Sequence, residues 1–226
     1  MFEFNYDAKV DERMVENTKV YTIDNFYNDP DEVVQFLIDR KPNTLWKESE
    51  SPSNNGIHFE ERRHIIFTPE IIPVYMYITD LIHQEPFRNE PELVATNMTR
   101  FFKGETYEFN DYENCYWWPH IDLGYNALIY LNKDDEVNGT NLYRRLSRDE
   151  YGTMPEHFKP WREKENYELI ETLRPKYNRL VLFDGLIEHG MHIEDDRYFS
   201  DEYRLNQVFQ FFHSERFEEL HKLNNE

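Results

Sequence analysis

His120 and Asp122 are residues whose types and spacing suggest chemistry. They stand two positions apart in Trp118-Pro119-His120-Ile121-Asp122, and residues i and i+2 of an extended strand point to the same face. An imidazole and a carboxylate would therefore project side by side, which is the beginning of a metal site. A third ligand must come from elsewhere, and His189 follows a later apolar run. Two histidines and one carboxylate on one face of a metal form a facial triad with open positions opposite.

The ordered set of motifs resembles the 2-oxoglutarate/Fe(II)-dependent dioxygenase superfamily, and within it the prolyl-4-hydroxylase-like subgroup of small phage and bacterial members. His120-Ile121-Asp122 matches the His-x-Asp motif of that superfamily, His189 its distal histidine and Arg204 the basic residue on the following strand. Residues 126–132 and 139–143 are similar to a strand pair of the subgroup. This resemblance implies an Fe(II)-dependent enzyme that uses 2-oxoglutarate and O2.

The resemblance implies that His120, Asp122 and His189 bind Fe(II). His192 is the alternative third ligand, because both histidines follow the same predicted strand. The spacing from Phe183 to the histidine resembles that of the subgroup when His189 is chosen, so we expect His189. The carboxylate of Asp122 favours hydroxylation, since related halogenases have a small residue at that position.

The resemblance also implies that Arg204 binds the distal carboxylate of 2-oxoglutarate. A planar guanidinium suits this role because it meets a carboxylate through two parallel hydrogen bonds. Asn206 points to the same face of the predicted strand, at a position where the family often has Ser or Thr. Tyr107 and Tyr130 are candidates to donate a hydrogen bond to the same carboxylate. The alternative for Arg204 is a surface arginine that pairs with a nearby acid.

The aromatic run Tyr116-Trp117-Trp118 directly precedes the metal motif. Two interpretations remain open, because these rings can form a substrate-binding surface or pack in the core. Residues 144–175 are charged and contain Pro155 and Pro160. We predict that they form an excursion from the core that is partly helical and acts as a second lid candidate, since loops beside a rigid scaffold usually carry specificity.

The patterns predict helices first and strands later, which indicates an α+β fold that is mainly β. Asp29-Pro30-Asp31-Glu32 has a helix-start signature, and apolar residues recur at helical spacing over 71–82. The resemblance adds a double-stranded β-helix (jelly roll) with the N-terminal helices packed on one sheet. We expect one domain over 1–226, made of a helical support region (1–92), a β-helix core (93–212) and a C-terminal helix (213–226).

Composition narrows the choice of partners. The formal net charge is -20, which argues against duplex nucleic acid and against an anionic membrane surface, because both attract lysine and arginine. Such a charge serves solubility or attracts a basic substrate or partner. The single cysteine, Cys115, excludes an intramolecular disulfide and favours a reducing compartment. With no signal peptide or spanning segment in the sequence, we expect a cytoplasmic protein.

We therefore expect an oxidoreductase that hydroxylates an unactivated C–H bond of a peptide side chain or small molecule and releases succinate and CO2. Two other functions remain open from the sequence. One is a non-catalytic jelly-roll module used for binding or structure, and the other is a cupin-like metalloenzyme that uses no 2-oxoglutarate. The presence of both histidines, the aspartate and the arginine favours the enzyme. The sequence predicts neither the substrate nor the oligomeric state.

Overall fold

The computed structural model describes residues 1–39, 47–48, 58–65, 69–82, 94–102, 113–122, 124–133, 139–147, 161–194 and 203–212. In these residues the protein is mainly β, with two antiparallel sheets and two helices. This confirms the predicted α+β class. Among the described residues, no helix is both long enough and apolar enough to cross a membrane.

The helices are α1 (Pro30–Asp39) and α2 (Ile72–Leu81). The larger sheet contains eight strands in the order β1 (Val10–Val15), β2 (Thr18–Ile23), β11 (Arg179–Asp184), β7 (Gly124–Tyr130), β13 (Arg204–Phe212), β5 (Val94–Phe102), β4 (His58–Ile65) and β3 (Lys47–Glu48). The smaller sheet contains five strands in the order β10 (Tyr167–Leu173), β8 (Thr140–Arg145), β12 (Glu188–Met191), β6 (Cys115–His120) and β9 (Trp161–Glu163).

Helix α1 begins where the sequence predicts. Pro30 is its first residue, and the Asp29 carboxylate accepts a hydrogen bond from the backbone N–H of Glu32 at 3.0 Å. This bond satisfies one of the N–H groups that have no partner within the helix. Proline costs nothing at the first position because its missing N–H would be unpaired there. The cap fixes the start of the helix and hence the face that it buries.

Both helices pack on one face of the larger sheet, which we call the outer face. A single buried cluster joins the helices to the sheet: it contains Val33, Val74 and Ile78 of the helices and Ile129, Leu182 and Phe209 of the strands. Side chains alternate along a strand, so the neighbours of these sheet residues point the other way. The predicted packing of N-terminal helices on one sheet is therefore observed.

The opposite, inner face of the larger sheet packs against the smaller sheet. The buried cluster between the sheets includes Tyr130, Val181 and Phe183 of the larger sheet and Leu142 and Leu173 of the neighbouring strands β8 and β10. The strands β5, β7, β11 and β13 belong to the larger sheet, whereas β6, β8, β10 and β12 belong to the smaller one. The chain therefore crosses repeatedly between the sheets, and residues far apart in sequence meet in the gap between them.

Three expectations differ from the structure or fall outside it. The region 1–92 supplies four strands of the larger sheet as well as the helices. Within 144–175, the expected helical content is wrong for residues 161–173, which form β9, one 3-10 turn and β10. A bulge between Leu169 and Glu171 breaks the alternation of β10, so its period of two is hidden in the sequence. The predicted helix at 213–226 lies outside the described residues.

Candidate metal centre

A bulge in β6 brings His120 beside His189. His189 of β12 pairs with His120, and Met191 pairs with Trp117, so Trp118 and the proline after it both face one residue of β12. Trp118 has φ of 45°, which is unusual for a bulky residue. A bulge bends its strand and redirects side chains. The two imidazole rings lie with their centroids 4.4 Å apart.

Two glycines permit the close approach of the backbones around this bulge. A Cβ on Gly190 would lie 2.3 Å from the carbonyl oxygen of Trp117, and a Cβ on Gly185 would lie 2.4 Å from that of Gly124. Gly185 also accepts a hydrogen bond from the backbone N–H of Asp122 at 2.8 Å. Both positions therefore require glycine, because any side chain would collide with backbone next to the candidate ligands.

The side chains of His120, Asp122 and His189 converge on one point. Their candidate ligand atoms all lie within 4.8 Å of one another. Asp122 Oδ2 is 3.3 Å from His189 Nε2 and 3.9 Å from His120 Nε2. A metal ion about 2.1 Å from each atom would hold adjacent ligands about 3 Å apart, so small side-chain movements suffice for coordination. This group could bind a metal ion.

The other nitrogen of each imidazole is held by a backbone carbonyl. His120 Nδ1 lies 2.7 Å from the oxygen of Trp118, and His189 Nδ1 lies 2.9 Å from that of Ile187. A carbonyl only accepts hydrogen bonds, so each Nδ1 must carry the hydrogen, and each Nε2 presents its lone pair to the site. The ring of Phe183 packs edge-on against His189 at 5.0 Å and fixes the ring plane.

The charges of the group also suit a cation. Desolvation and the neighbouring His189 together lower the pKa of His120 to about 4, although Asp122 and the carbonyl of Trp118 act in the opposite direction. Burial alone would raise the pKa of Asp122, but hydrogen bonds and charges from its neighbours outweigh it and hold the pKa at about 2. At neutral pH the site therefore offers a neutral imidazole and an ionised carboxylate, which are the forms that bind metals.

Arg204 reaches the same cavity from the larger sheet. Alternate residues of β13 face inward, and the cavity has a volume of about 270 Å³. Its walls include the candidate ligands and residues of both sheets: Trp117, Trp118, Asn126, Leu128, Thr140, Met191, Arg204, Val208 and Gln210. The cavity is small and carries a few polar groups on apolar walls, as is typical of a site for a small ligand.

The guanidinium of Arg204 is only partly satisfied by the described residues. Its Nη2 donates to the oxygen of Gly139 at a long 3.5 Å, and its Nε is buried without a hydrogen-bond partner among them. Its Cζ lies 5.9 Å from the ring centre of Tyr130, whose hydroxyl is 2.8 Å from Thr140 Oγ1. A buried charged donor without a partner is costly, so an anionic ligand in the cavity would stabilise it.

Of the other residues predicted to contact the co-substrate, only Tyr130 lies close to Arg204 in the part of the chain that the structure describes. Tyr130 lies beside Arg204, next to the cavity wall. Asn206 is 3% exposed and belongs to the same face of β13, yet the residues that line the cavity do not include it. Tyr107 lies outside the described residues. His192 does not join the metal group, because its Nε2 pairs with the carboxylate of Glu194.

The aromatic run divides between two faces of β6. Trp117 and Trp118 line the cavity, so a substrate-contact role is open to both. Tyr116 points away, and its ring packs against Tyr143 at 4.6 Å and Tyr167 at 6.5 Å. These contacts favour core packing for Tyr116, the second of the two interpretations that the sequence left open, since neighbouring residues of a strand face opposite sides.

Sequence reasoning missed Asn126, Thr140 and Gln210, which line the cavity. A signal for Asn126 was available in the period of two, because it lies four residues before Tyr130 on the same face of a strand. Its amide contacts two of the candidate ligands. For Thr140 and Gln210 the relevant neighbours come from strands that are distant in sequence, so no local pattern could have found them.

Comparison with known proteins assigns no family, since neither protein-family models nor curated proteins match this chain. The chemistry of the site is therefore argued from its donor set. Two imidazoles and one carboxylate bind a divalent metal on one side only. The cavity continues from this group to an under-satisfied guanidinium, so the arrangement can hold a metal ion and an anionic ligand together.

Proposed function

We propose that the protein is an Fe(II)- and 2-oxoglutarate-dependent dioxygenase that hydroxylates an unactivated C–H bond of a peptide side chain or small molecule. The observation that carries this proposal is a single cavity lined by His120, Asp122, His189 and Arg204, whose buried Nε has no hydrogen-bond partner among the described residues. A metal site alone fits many functions. A metal site that shares a small cavity with the guanidinium of Arg204 fits a dicarboxylate co-substrate, because one carboxylate can bind the metal and the other the guanidinium.

The donor set fits iron and leaves room for other ligands. Two histidines and one carboxylate on one face are typical of non-haem Fe(II) oxygenases. When bound, iron supplies the activation of O2 that is coupled to decarboxylation of 2-oxoglutarate to succinate and CO2. The protein contributes the imidazoles of His120 and His189, the ionised Asp122 and a cavity lined by residues of both sheets. The retained carboxylate at position 122 favours hydroxylation over halogenation.

Arg204 would bind the distal carboxylate of 2-oxoglutarate. A guanidinium meets a carboxylate with two parallel hydrogen bonds, and this contact would provide a partner for the buried Nε. The hydroxyls of Tyr130 and Thr140 lie 2.8 Å apart and are close enough to Arg204 to extend the same polar end of the cavity. Together these groups would orient the co-substrate along the cavity toward the metal ligands.

The crossing of the chain between two sheets supports the double-stranded β-helix that the proposal requires. Consecutive strands from β5 to β8 and from β10 to β13 change sheets at each step. The metal group lies where β6 and β12 of the smaller sheet meet the loop that leads into β7. We propose that these eight strands are the β-helix core, with β1 to β4 as additions at the two sides of the larger sheet.

Trp117, Trp118 and Met191 are the proposed contacts for substrate, because they line the cavity on the histidine side. Aromatic rings bind ligands with large apolar area and little entropy loss. The net charge of -20 would attract a basic substrate over long range. A basic peptide side chain or a small amine is therefore the first class of substrate to test.

An anaerobic titration of the protein with Fe(II) and 2-oxoglutarate tests the proposal. Chelation of iron by a 2-oxo acid produces a weak visible charge-transfer band. We expect this band in the native protein, its loss in His120→Ala, and a weaker co-substrate affinity in Arg204→Ala. Arg204→Lys should fall between the native protein and Arg204→Ala, since lysine keeps the charge and loses the planar fork.

His192→Ala is the matched control, because His192 follows the same strand as His189 and stands apart from the metal group. It should retain the band. Metal binding without the band would overturn the role of 2-oxoglutarate and favour a cupin-like metalloenzyme. Absence of both metal binding and the band would favour a non-catalytic module.

A further inference from the structure

Asn126 is a buried amide placed between two of the three candidate ligands. Its residue is 3% exposed. Its Nδ2 donates a hydrogen bond to Asp122 Oδ2 at 2.7 Å and lies 3.1 Å from His189 Nε2. On β7 it faces inward between Phe183 of β11 and Gln210 of β13, its partners in the flanking strands. The backbone of Asn126 is therefore held by strand pairing on both sides, near the centre of the larger sheet.

The hydrogen bond from Asn126 goes to the oxygen of Asp122 that faces both histidines. That Oδ2 is the atom that lies 3.3 Å from His189 Nε2 and 3.9 Å from His120 Nε2. A carboxylate oxygen has two lone pairs, so it can accept the amide hydrogen bond and bind a metal at the same time. The amide therefore restricts rotation of the carboxylate and selects the oxygen that binds.

The second hydrogen of the amide points toward His189. A metal on Nε2 would use the same lone pair, so this contact ends when a cation binds. The bond to Asp122 has no such conflict and persists. A neutral donor suits both situations, because a lysine or arginine at position 126 would repel the cation, and an apolar side chain would remove the amide hydrogen bond to the Asp122 oxygen.

From these contacts we infer that Asn126 is a positioning residue of the metal centre, which holds Asp122 for binding through one oxygen and keeps the opposite side of the metal open. This inference rests on the proposed metal centre and assigns it a fourth residue. Hydrogen-bond partners of metal ligands typically contribute 10- to 100-fold to metal affinity. Loss of the amide would also free Asp122 to bind through both oxygens and change the coordination number.

Binding of Co(II) and Mn(II) alone tests this inference without any measurement of catalysis. Asn126→Leu removes the donor at similar volume, and we expect Mn(II) affinity to fall about 10- to 100-fold with an altered Co(II) visible spectrum. Asn141→Leu is the control, because Asn141 is also buried and hydrogen-bonded, to Tyr143 and Thr172, and contacts none of the ligands. It should bind both ions as the native protein does.

The outcomes separate this inference from the proposed function. Native affinity and an unchanged Co(II) spectrum in Asn126→Leu would overturn the role of Asn126 and leave the metal centre intact. No binding of either ion by the native protein would overturn both. Should Asn126→Leu fail to fold, Asn126→Ala carries the same expectation, because it removes the donor without added bulk. Equal affinity in that variant would likewise overturn the inference.

Discussion

The two faces of strand β7 differ in what they bury. The outer-face residues Ala127 and Ile129 are fully buried against the helix layer and carry no polar side-chain atom. The inner-face residues Asn126 and Tyr130 are nearly as buried, yet each makes side-chain hydrogen bonds at the cavity. Because strand side chains alternate, a single strand contributes stability on one face and chemistry on the other. Substitutions at the inward-facing residues of β7 should therefore alter the site without changing the packing of the strand against the helices.

A pair of variants within β13 tests this division of roles between the two faces. These variants should show the largest difference in the free energy of unfolding. Phe209 is fully buried on the outer face, so Phe209→Ala should lower the free energy of unfolding by about 3–5 kcal/mol. Arg204→Ala, on the inner face, should change it by less than about 1 kcal/mol, because the buried Nε of Arg204 has no hydrogen-bond partner in the part of the chain that the structure describes. Urea denaturation monitored by tryptophan fluorescence measures both.

For ligand binding the order of the two variants should be reversed, so that Arg204→Ala has the larger effect. If the proposed function is correct, the folded fraction of Phe209→Ala should bind Fe(II) and 2-oxoglutarate as the native protein does, whereas Arg204→Ala should bind 2-oxoglutarate more weakly. A large loss of stability in Arg204→Ala, equal to that of Phe209→Ala, would contradict the separation of the two faces.

Gly190→Ala should affect both stability and metal binding, because Gly190 lies where β12 meets the bulge of β6. The new Cβ would approach the carbonyl oxygen of Trp117 to 2.3 Å, so the strands must separate. We expect a loss of about 1–3 kcal/mol in the free energy of unfolding, together with weaker Mn(II) binding. Leu146→Ala, at an exposed position, is the control and should alter neither. Native Mn(II) affinity in Gly190→Ala would show that the bulge does not position His120.

The smallest expected effect comes from an ion pair that belongs to neither face. Asp24 accepts hydrogen bonds from Arg179 at 2.6 and 3.1 Å and from Lys176 at 2.8 Å. The bond from Arg179, and secondarily Lys176, lowers the pKa of Asp24 to about 2 against partial desolvation. Since about a third of its side chain is exposed, we expect Asp24→Asn to cost only about 1 kcal/mol at neutral pH.

The pH dependence of this cost has a defined sign. A carboxylate whose pKa is lowered by folding stabilises the native state above its unfolded pKa, and this contribution falls as the pH approaches the folded pKa. The difference in stability between native protein and Asp24→Asn should therefore be constant above about pH 5 and fall to a small fraction of that value near pH 2. Urea midpoints measured from pH 2 to pH 7 test this, and a difference that is undiminished at pH 2 would contradict it.

Local patterns predicted much of the fold. The cap of α1 and the strands around His120 and Arg204 have short-range signals, because caps and alternation are set by neighbouring residues. The strand β10 was missed because its bulge removes the alternation. The hairpin of β1 and β2 was missed in part, since β1 carries Asp11, Glu12 and Arg13 at a sheet edge and lacks an apolar face.

The site was predictable to the extent that its chemistry lies in recognisable residue types. His120, Asp122 and His189 were found by spacing and resemblance, and the structure brings them together. Asn126 was missed although the period of two places it on the same face as Tyr130, because its contacts with Asp122 and His189 depend on long-range strand pairing. The two interpretations of Tyr116 could not be separated from the sequence, because the bulge at Trp118 lies between Tyr116 and the metal motif, and a bulge changes which residues share a face.

The central place of β13 in the larger sheet has a consequence for the order of folding. This strand pairs with β7 on one side and β5 on the other, and it is the last of the described strands to leave the ribosome. Until it emerges, β5 and β7 have no common partner, and a nascent chain lacks Arg204 and the other cavity-lining residues of β13. Such long-range pairing slows folding and exposes strand edges during synthesis. The cavity beside the candidate metal ligands should therefore be completed late in biogenesis, after translation of β13.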